Sequence, residues 1–210
     1  MFAPGAGRWI GPPGLVSVVL ALLTVVARFA GLFLAVDLAA IAVLIALAAF
    51  FAVFFRDPDR PPGAGIVSAA DGRVRAVEVE GSRLRISVFM NVTDVHVNRL
   101  PIDATIDAVG DAGAGYRAAF RPDSDRNVQR QYHLSTTLGP VDVIQMTGVV
   151  ARRLVSFVRA GFVGKKGDRF GMIVLGSRVD VLLPSERAVA AVRVGDRVRA
   201  GVTTIALERT

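Results

Sequence analysis

From Leu15 to Phe55 the chain runs for 41 residues with only two charged side chains, Arg28 and Asp37. Built as one helix, this run would be about 60 Å long, twice the roughly 30 Å of a bilayer's hydrocarbon core, so two passes fit better than one. The turn is placed between Arg28 and Asp37, where both charges and Gly31 interrupt the run. The expected hairpin has helices over 15–36 and 38–55, with Arg28 snorkelling toward the headgroups. A helix lying in the interface and a cleaved signal peptide are the rival readings. A second apolar stretch beyond any cleavage site favours a retained anchor. Arg8 precedes the run and Arg56 and Arg60 follow it, which puts both ends and the downstream domain on the cytoplasmic face of the membrane.

The Pro-rich joint Asp57-Pro58-Asp59-Arg60-Pro61-Pro62-Gly63 cannot continue a helix, so residues 1–55 are read as anchor and 56–210 as a separate domain. Beyond the joint, short β-branched runs alternate with Gly, Asp and Pro: Gly72 to Glu80, Arg83 to Val88, Ala104 to Val109, Val141 to Thr147, Phe170 to Leu175, Val179 to Leu183 and Val202 to Leu207. This pattern predicts a mainly β, β-rich α+β domain with barrel-sandwich-like hairpins. Two look-alike segments, Gly167-Asp168-Arg169 and Gly195-Asp196-Arg197, are read as similar turns into strands. The whole chain carries +7, and removing Arg8, Arg28 and Asp37 leaves +6 on the domain. Anionic headgroups and nucleic acid are the natural partners of such a surplus; no nucleic-acid recognition motif is present, and two Tyr and one Trp make no stacking platform. With no Cys and only His96 and His133, disulfides, thiol nucleophiles and a His-rich metal centre are not expected.

Four segments can carry chemistry. In Phe170 to Pro184 a strand reaches Gly176-Ser177 and another leaves. The pair is either a bulge or a self-cleavage site at which the serine hydroxyl attacks the glycine carbonyl. In Phe89 to Pro101, His96 is either a hydrogen-bonded loop residue or a proton carrier. Asp71, in Ala70-Asp71-Gly72, either forms a turn or orients the histidine. Arg152 and Arg153 are either a solvated basic edge or a phosphate clamp. His133 is read as a polar residue without a chemical role.

Together these segments resemble the short, archaeal-type form of the phosphatidylserine decarboxylase family, pyruvoyl-dependent enzymes made as proenzymes. The resemblance runs from Phe55-Arg56-Asp57-Pro58 through Ala70-Asp71-Gly72, Phe89-Met90 to Pro101, Gln145 with Gly148, Ala151-Arg152-Arg153 and Gly176-Ser177-Arg178-Val179-Asp180 to the Gly195-Asp196 and Ala200-Gly201 turns. It implies that Ser177 attacks Gly176, that the ester eliminates, and that a covalent pyruvoyl group is left on residue 177. Cleavage would give a β chain, 1–176, and an α chain, 177–210, which stay together. It further implies decarboxylation of phosphatidylserine, or archaetidylserine, to the ethanolamine lipid through a Schiff base on the pyruvoyl group, with no metal. Ser177 would be the pyruvoyl precursor, His96 the proton carrier and Asp71 its orienting partner in maturation, while Arg99, Arg152 and Arg153 would bind substrate. Longer bacterial members have a second histidine where this chain has Arg99, and the family usually has Pro where Ala69 stands. The implied partners are the lipid and an anionic membrane, and a homo-oligomer is compatible with them. Two further readings are a membrane-anchored serine hydrolase using Ser177, His96 and Asp71, which lacks the Gly-x-Ser-x-Gly elbow, and a non-catalytic carrier module, for which only Lys165 and Lys166 are at hand.

Overall fold

The structure, a computed structural model, describes residues 4, 7–29, 34–115, 126–148, 153–174 and 177–209. Gly31, Ala151, Arg152, Leu175 and Gly176, singled out above, lie outside the described residues. The chain forms two compact units, Met1–Pro58 and Asp59–Thr210.

The first unit is a hairpin of α1 (Gly7–Phe29) and α2 (Leu34–Phe54), which pack against each other. Gly11–Arg28 and Val36–Phe54 are long and apolar enough to cross a membrane. Exposed apolar side chains, among them Leu15, Leu22, Val26, Val36, Val43 and Ile45, lie along both helices, as expected of helices solvated by lipid rather than water. The bounds correct the expected 15–36 and 38–55. Pro12 and Pro13 are accommodated near the start of α1, where little more than one helical turn precedes them to clash with. Arg28 sits in the last turn of α1 and Asp37 in the first turn of α2, so the break between the helices falls between the two charges, as expected, and both also complement helix dipoles. Ser17 Oγ and Thr24 Oγ1 donate to the Pro13 and Leu20 carbonyls at 2.7 and 2.8 Å, which hides both hydroxyls in an apolar setting.

The second unit contains β1 (Ile66–Val67), β2 (Gly72–Glu80), β3 (Arg83–Met90), β4 (Val97–Arg99) and β5 (Ala104–Ala112). It continues with β6 (Gln129–Thr136), β7 (Gly139–Thr147), β8 (Arg153–Ser156), β9 (Val163–Gly164) and β10 (Arg169–Val174). It closes with β11 (Ser177–Pro184), β12 (Ala188–Ala190), β13 (Arg197–Val198) and β14 (Thr204–Glu208). The chain is therefore mainly β behind an apolar helical hairpin, as expected. The large sheet has the order β13-β2-β3-β11-β7-β6-β5-β9, and two three-stranded sheets have the orders β4-β10-β8 and β1-β14-β12. All three sheets stay open.

Period-two alternation sends Leu84, Ile86 and Val88 of β3, Val179, Val181 and Leu183 of β11, and Val141 and Val143 of β7 into one core. Turns are set by aspartates. Asp168 accepts from Lys165 N at 2.7 Å and donates its amide to Lys165 O at 2.9 Å. Asp196 does the same with Arg193, and Asp94 with Asn91. The two Gly-Asp turns thus share one hydrogen-bond pattern because a carboxylate three residues on closes the same ring.

Gly72 opens β2 with φ +144°, and a Cβ there would lie 2.0 Å from the Phe89 carbonyl oxygen. Gly81 also has positive φ, +59°, but nothing within 4 Å of its would-be Cβ. Gly72→Ala is expected to cost on the order of 3 kcal/mol, from strain plus overpacking, against about 1 kcal/mol for Gly81→Ala. Thermal unfolding of the two solubilised variants checks the order.

Candidate active site

β10 ends at Val174 in a small sheet and β11 begins at Ser177 at the centre of the large one, so two residues carry the chain from sheet to sheet. The Ser177 backbone is opposite Met90, the last residue of β3, and Thr147, the last of β7. Three strand ends therefore meet at Ser177. The Thr147 carbonyl accepts from Asn127 Nδ2 at 2.7 Å, and Thr147 Oγ1 donates to Val128 O at 3.0 Å, which fixes that end of β7.

His96 reaches the same place through β4. Val97 pairs with Met172, and Ile173 N donates to the His96 carbonyl at 3.2 Å, so His96 is level with the last residues before the crossing. The residue is fully buried. Its Nδ1 lies 2.9 Å from the Asp94 carbonyl oxygen, which can only accept. Nδ1 therefore carries a proton, which makes Nε2 the acceptor nitrogen whenever the ring is neutral. Asp94 is itself clamped: Oδ2 by Asn91 N at 2.8 Å and Oδ1 by Arg197 Nη2 at 3.2 Å.

Behind the strand ends lies a buried amide network. Burial raises the Tyr132 phenol pKa above its ordinary value, so the phenol stays protonated and donates to Gln145 Oε1 at 3.2 Å. Gln145 Nε2 then donates to Asn98 Oδ1 at 2.7 Å, and Asn98 Nδ2 reaches Met90 Sδ at 3.8 Å. The phenol and the two amides thus form one continuous chain of bonds. Gly171 leaves room for the network, since a Cβ there would be 3.0 Å from Gln145 Nε2 and 3.1 Å from the Tyr132 oxygen.

Asp71 is gripped by Arg60, Nη1 to Oδ1 at 2.6 Å and Nη2 to Oδ2 at 2.9 Å, and its Oδ1 also accepts from Ala200 N at 2.7 Å. These bonds and the Nδ1 bond of His96 run to different partners, so the orientation of His96 described here comes from Asp94. Arg99 is buried, with Nη1 donating to the Gly167 carbonyl at 3.0 Å. Arg153 is exposed and opposite Val174, at the last step of β10 before the crossing. His133 is away from this cluster, on the exposed cross-strand pair with Asp142, 2.7 Å from Nδ1 to Oδ1. Among the described residues no group of three or more His, Cys, Asp or Glu side chains could hold a metal ion.

The family model described as "Phosphatidylserine decarboxylase" matches residues 47–206, which include every residue of this cluster. The chain belongs to the phosphatidylserine decarboxylase family. A phosphatidylserine decarboxylase proenzyme of Thermobifida fusca is 46% identical over 164 residues, 77% of this chain and 75% of that protein. Another of Streptomyces avermitilis is 40% identical over 206 residues, 97% and 92% of the two chains. A protein of Methanococcoides burtonii, named provisionally as an archaetidylserine decarboxylase proenzyme, is 43% identical over 164 residues, 76% of each.

In this member of the phosphatidylserine decarboxylase family, sequence reasoning assigned no role at the site to Asp94, Asn98, Tyr132 or Arg60. Asn98 and Asp94 flank His96 in the quoted segment, yet only the fold brings Tyr132 and Gln145 to them. Gln145→Leu removes one acceptor and one donor from a dry network and leaves the buried Asn98 oxygen without this partner. It is expected to lower stability by about 1–3 kcal/mol, with Tyr132→Phe near the low end, as read by denaturant unfolding.

Proposed function

We propose that this protein decarboxylates the serine headgroup of phosphatidylserine, or of archaetidylserine, to the ethanolamine lipid, using a pyruvoyl group made by self-cleavage between Gly176 and Ser177. Family membership supports the reaction class, and the observation that carries the site is the Ser177 backbone at the start of the central strand with a buried histidine level with the crossing.

In maturation the Ser177 hydroxyl adds to the Gly176 carbonyl carbon and the peptide bond gives way to an ester. His96 Nε2, a proton acceptor in the tautomer that Asp94 enforces, takes the hydroxyl proton. Elimination then breaks the Ser177 Cβ–O bond and frees the Gly176 carboxylate. Water replaces the nitrogen of residue 177, which leaves as ammonia, and a ketone remains on the new chain end. This ketone supplies an electron sink for the pair released when carbon dioxide leaves the substrate. The residues present fit such a group, because β3 and β7 hold the strand that carries it and the amide donors of Asn127 and Gln145 are already committed to fixed partners. His96 returns a proton to the substrate Cα. Arg153, with Arg152, binds the lipid phosphate, and Arg99 supports the site from beneath the Gly167 turn.

Asp71 holds residues on both sides of the proposed break, Arg60 upstream and Ala200 downstream, and so positions the two chains in maturation. The hairpin attaches the enzyme to the membrane, with the domain on the cytoplasmic face. Neither a metal nor a diffusible cofactor enters this scheme.

Intact-mass analysis of denatured, purified protein is expected to find two chains, 1–176 and 177–210, the second blocked at its N-terminus. Ser177→Ala should remain one chain of 22.2 kDa and release no carbon dioxide; its normal processing would remove the central claim. His96→Ala is expected to slow cleavage or turnover by about 10²- to 10⁴-fold, and parent rates in both would reassign the proton carrier. Arg153→Ala should raise KM for the phospholipid several-fold more than for a soluble serine analogue. Equal effects on both would make Arg153 structural.

A further inference from the structure

Residues 156–162, one continuous segment from the end of β8, line an open hollow of about 570 Å³. β8 is an edge strand of one sheet and β9 of the other, and the segment joining them forms the cavity wall. The wall is preformed. Phe157 N donates to Phe170 O at 2.9 Å, Gly161 N to Ile106 O at 2.8 Å, and Ile106 N to Phe162 O at 2.9 Å. Phe157, Val158 and Phe162 are half-buried there, while Ala160 and Val163 are exposed, Val163 by 73%. Arg159 is exposed on the same wall and makes no ion pair among the described residues. A hollow of a size that binds small ligands, with polar and apolar lining in nearly equal parts, thus carries an uncompensated cation at its rim.

Its place relative to the site gives it a direction. In the β8 to β10 ladder Arg153 is opposite Val174 and Ser156 is opposite Gly171. Moving away from Ser177 one meets first Arg153 and then, about 10 Å farther along β8 at some 3.3 Å per residue, the mouth of the hollow. A phospholipid presents its parts in the same order: headgroup, phosphate, then glycerol and acyl carbons. We propose that the hollow at 156–162 seats the glycerol and proximal hydrocarbon of the lipid substrate, with Arg159 at its rim drawing in an anionic lipid. The proposal rests on the reading of Ser177 and Arg153 given above. It adds a binding site for the apolar part of the lipid, where charge and apolar surface each match the occupant.

The test uses the full-length protein in detergent micelles. An ethanolamine phospholipid with a photoreactive diazirine on its acyl chain is cross-linked and mapped by mass spectrometry. Label on residues 156–162 that falls in Val158→Asp and Arg159→Glu supports the site; label only elsewhere in the chain overturns it. In parallel, the ratio of kcat/KM for a long-chain serine phospholipid to that for chain-free glycerophosphoserine is measured. It is expected to fall about tenfold in Val158→Asp, the scale of losing one apolar contact in a pocket. An equal loss on both substrates would overturn the site. Should the parent release no carbon dioxide from either compound while the probe still labels 156–162, the decarboxylase reading falls and the lipid site stands.

Discussion

The two hydrogen-bond ladders that hold β11 are the constraint on which the rest of the domain depends. Ser177 to Pro184 pairs with Met90 to Arg83 on one side, and Ser177 to Leu182 with Thr147 to Asp142 on the other. Both faces of the strand are occupied. Val179, Val181 and Leu183 enter the core, while Arg178 and Asp180 are buried on the opposite face in a bidentate pair at 2.7 and 2.5 Å. Burying that pair costs desolvation, which the parallel hydrogen bonds offset only because the residues, two apart, share one face of the strand. A reacting group at the first residue of such a strand would be fixed by fourteen residues of neighbouring backbone rather than by a loop, the kind of rigid support that positional chemistry needs (roughly 0.5 Å tolerance). The same ladders, which run from Ser177 onward, would hold a chain 177–210 in place after a break at its start.

The neighbouring polar side chains follow from that placement. Gln145 is on β7 opposite Val179, so its side chain emerges where an apolar residue would otherwise complete the core. A lone amide there would be costly, and it is tolerated because Tyr132 on β6 and Asn98 on β4 reach it from two other strands. The phenol, kept protonated by burial, donates to Gln145 Oε1, and Gln145 Nε2 is thereby turned toward Asn98. His96 is held by a different rule, a main-chain carbonyl two residues earlier in a turn that Asp94 closes with its own carboxylate. One residue thus fixes both the turn and the tautomer.

Much of this was legible in the sequence, for reasons that differ by element. β2 was read with its observed bounds, and β3, β5, β7, β10 and β11 to within a few residues, because their apolar alternation reflects one buried face. β6, Gln129–Thr136, escaped because its sequence is polar at most positions and its buried apolar side chains are Tyr132 and Leu134 alone. β4 and β8 are too short to show a period and exist because β10 lies between them. The charges Arg28 and Asp37 do bracket the break between the helices, but that each sits within a helix end is a detail that composition does not contain. At the site, residue types pointed to Ser177, His96 and Asp71, but partners 103 to 140 residues apart, such as Arg197 with Asp94, Ala200 with Asp71 and Arg60 with Ala200, are set by sheet order alone.

The surplus of positive charge takes a different meaning once the fold is known. Arg60, Arg83, Arg130, Arg169, Arg178 and Arg197 all face carboxylates, and they stitch strands and turns together without adding to the distant field. The field comes from what is left over. Arg159, Arg193 and Arg199 are exposed, and among the described residues they form no ion pair. Each such cation gains about 1 kcal/mol near an anionic leaflet and loses it within a Debye length of roughly 8 Å. A net charge read from composition therefore overstates the attraction of most arginines and understates that of a few. Where an unpaired one also borders apolar side chains, as Arg159 borders Phe157 and Val158, charge and hydrocarbon act on the same molecule, a combination that a lipid satisfies and a nucleic acid does not.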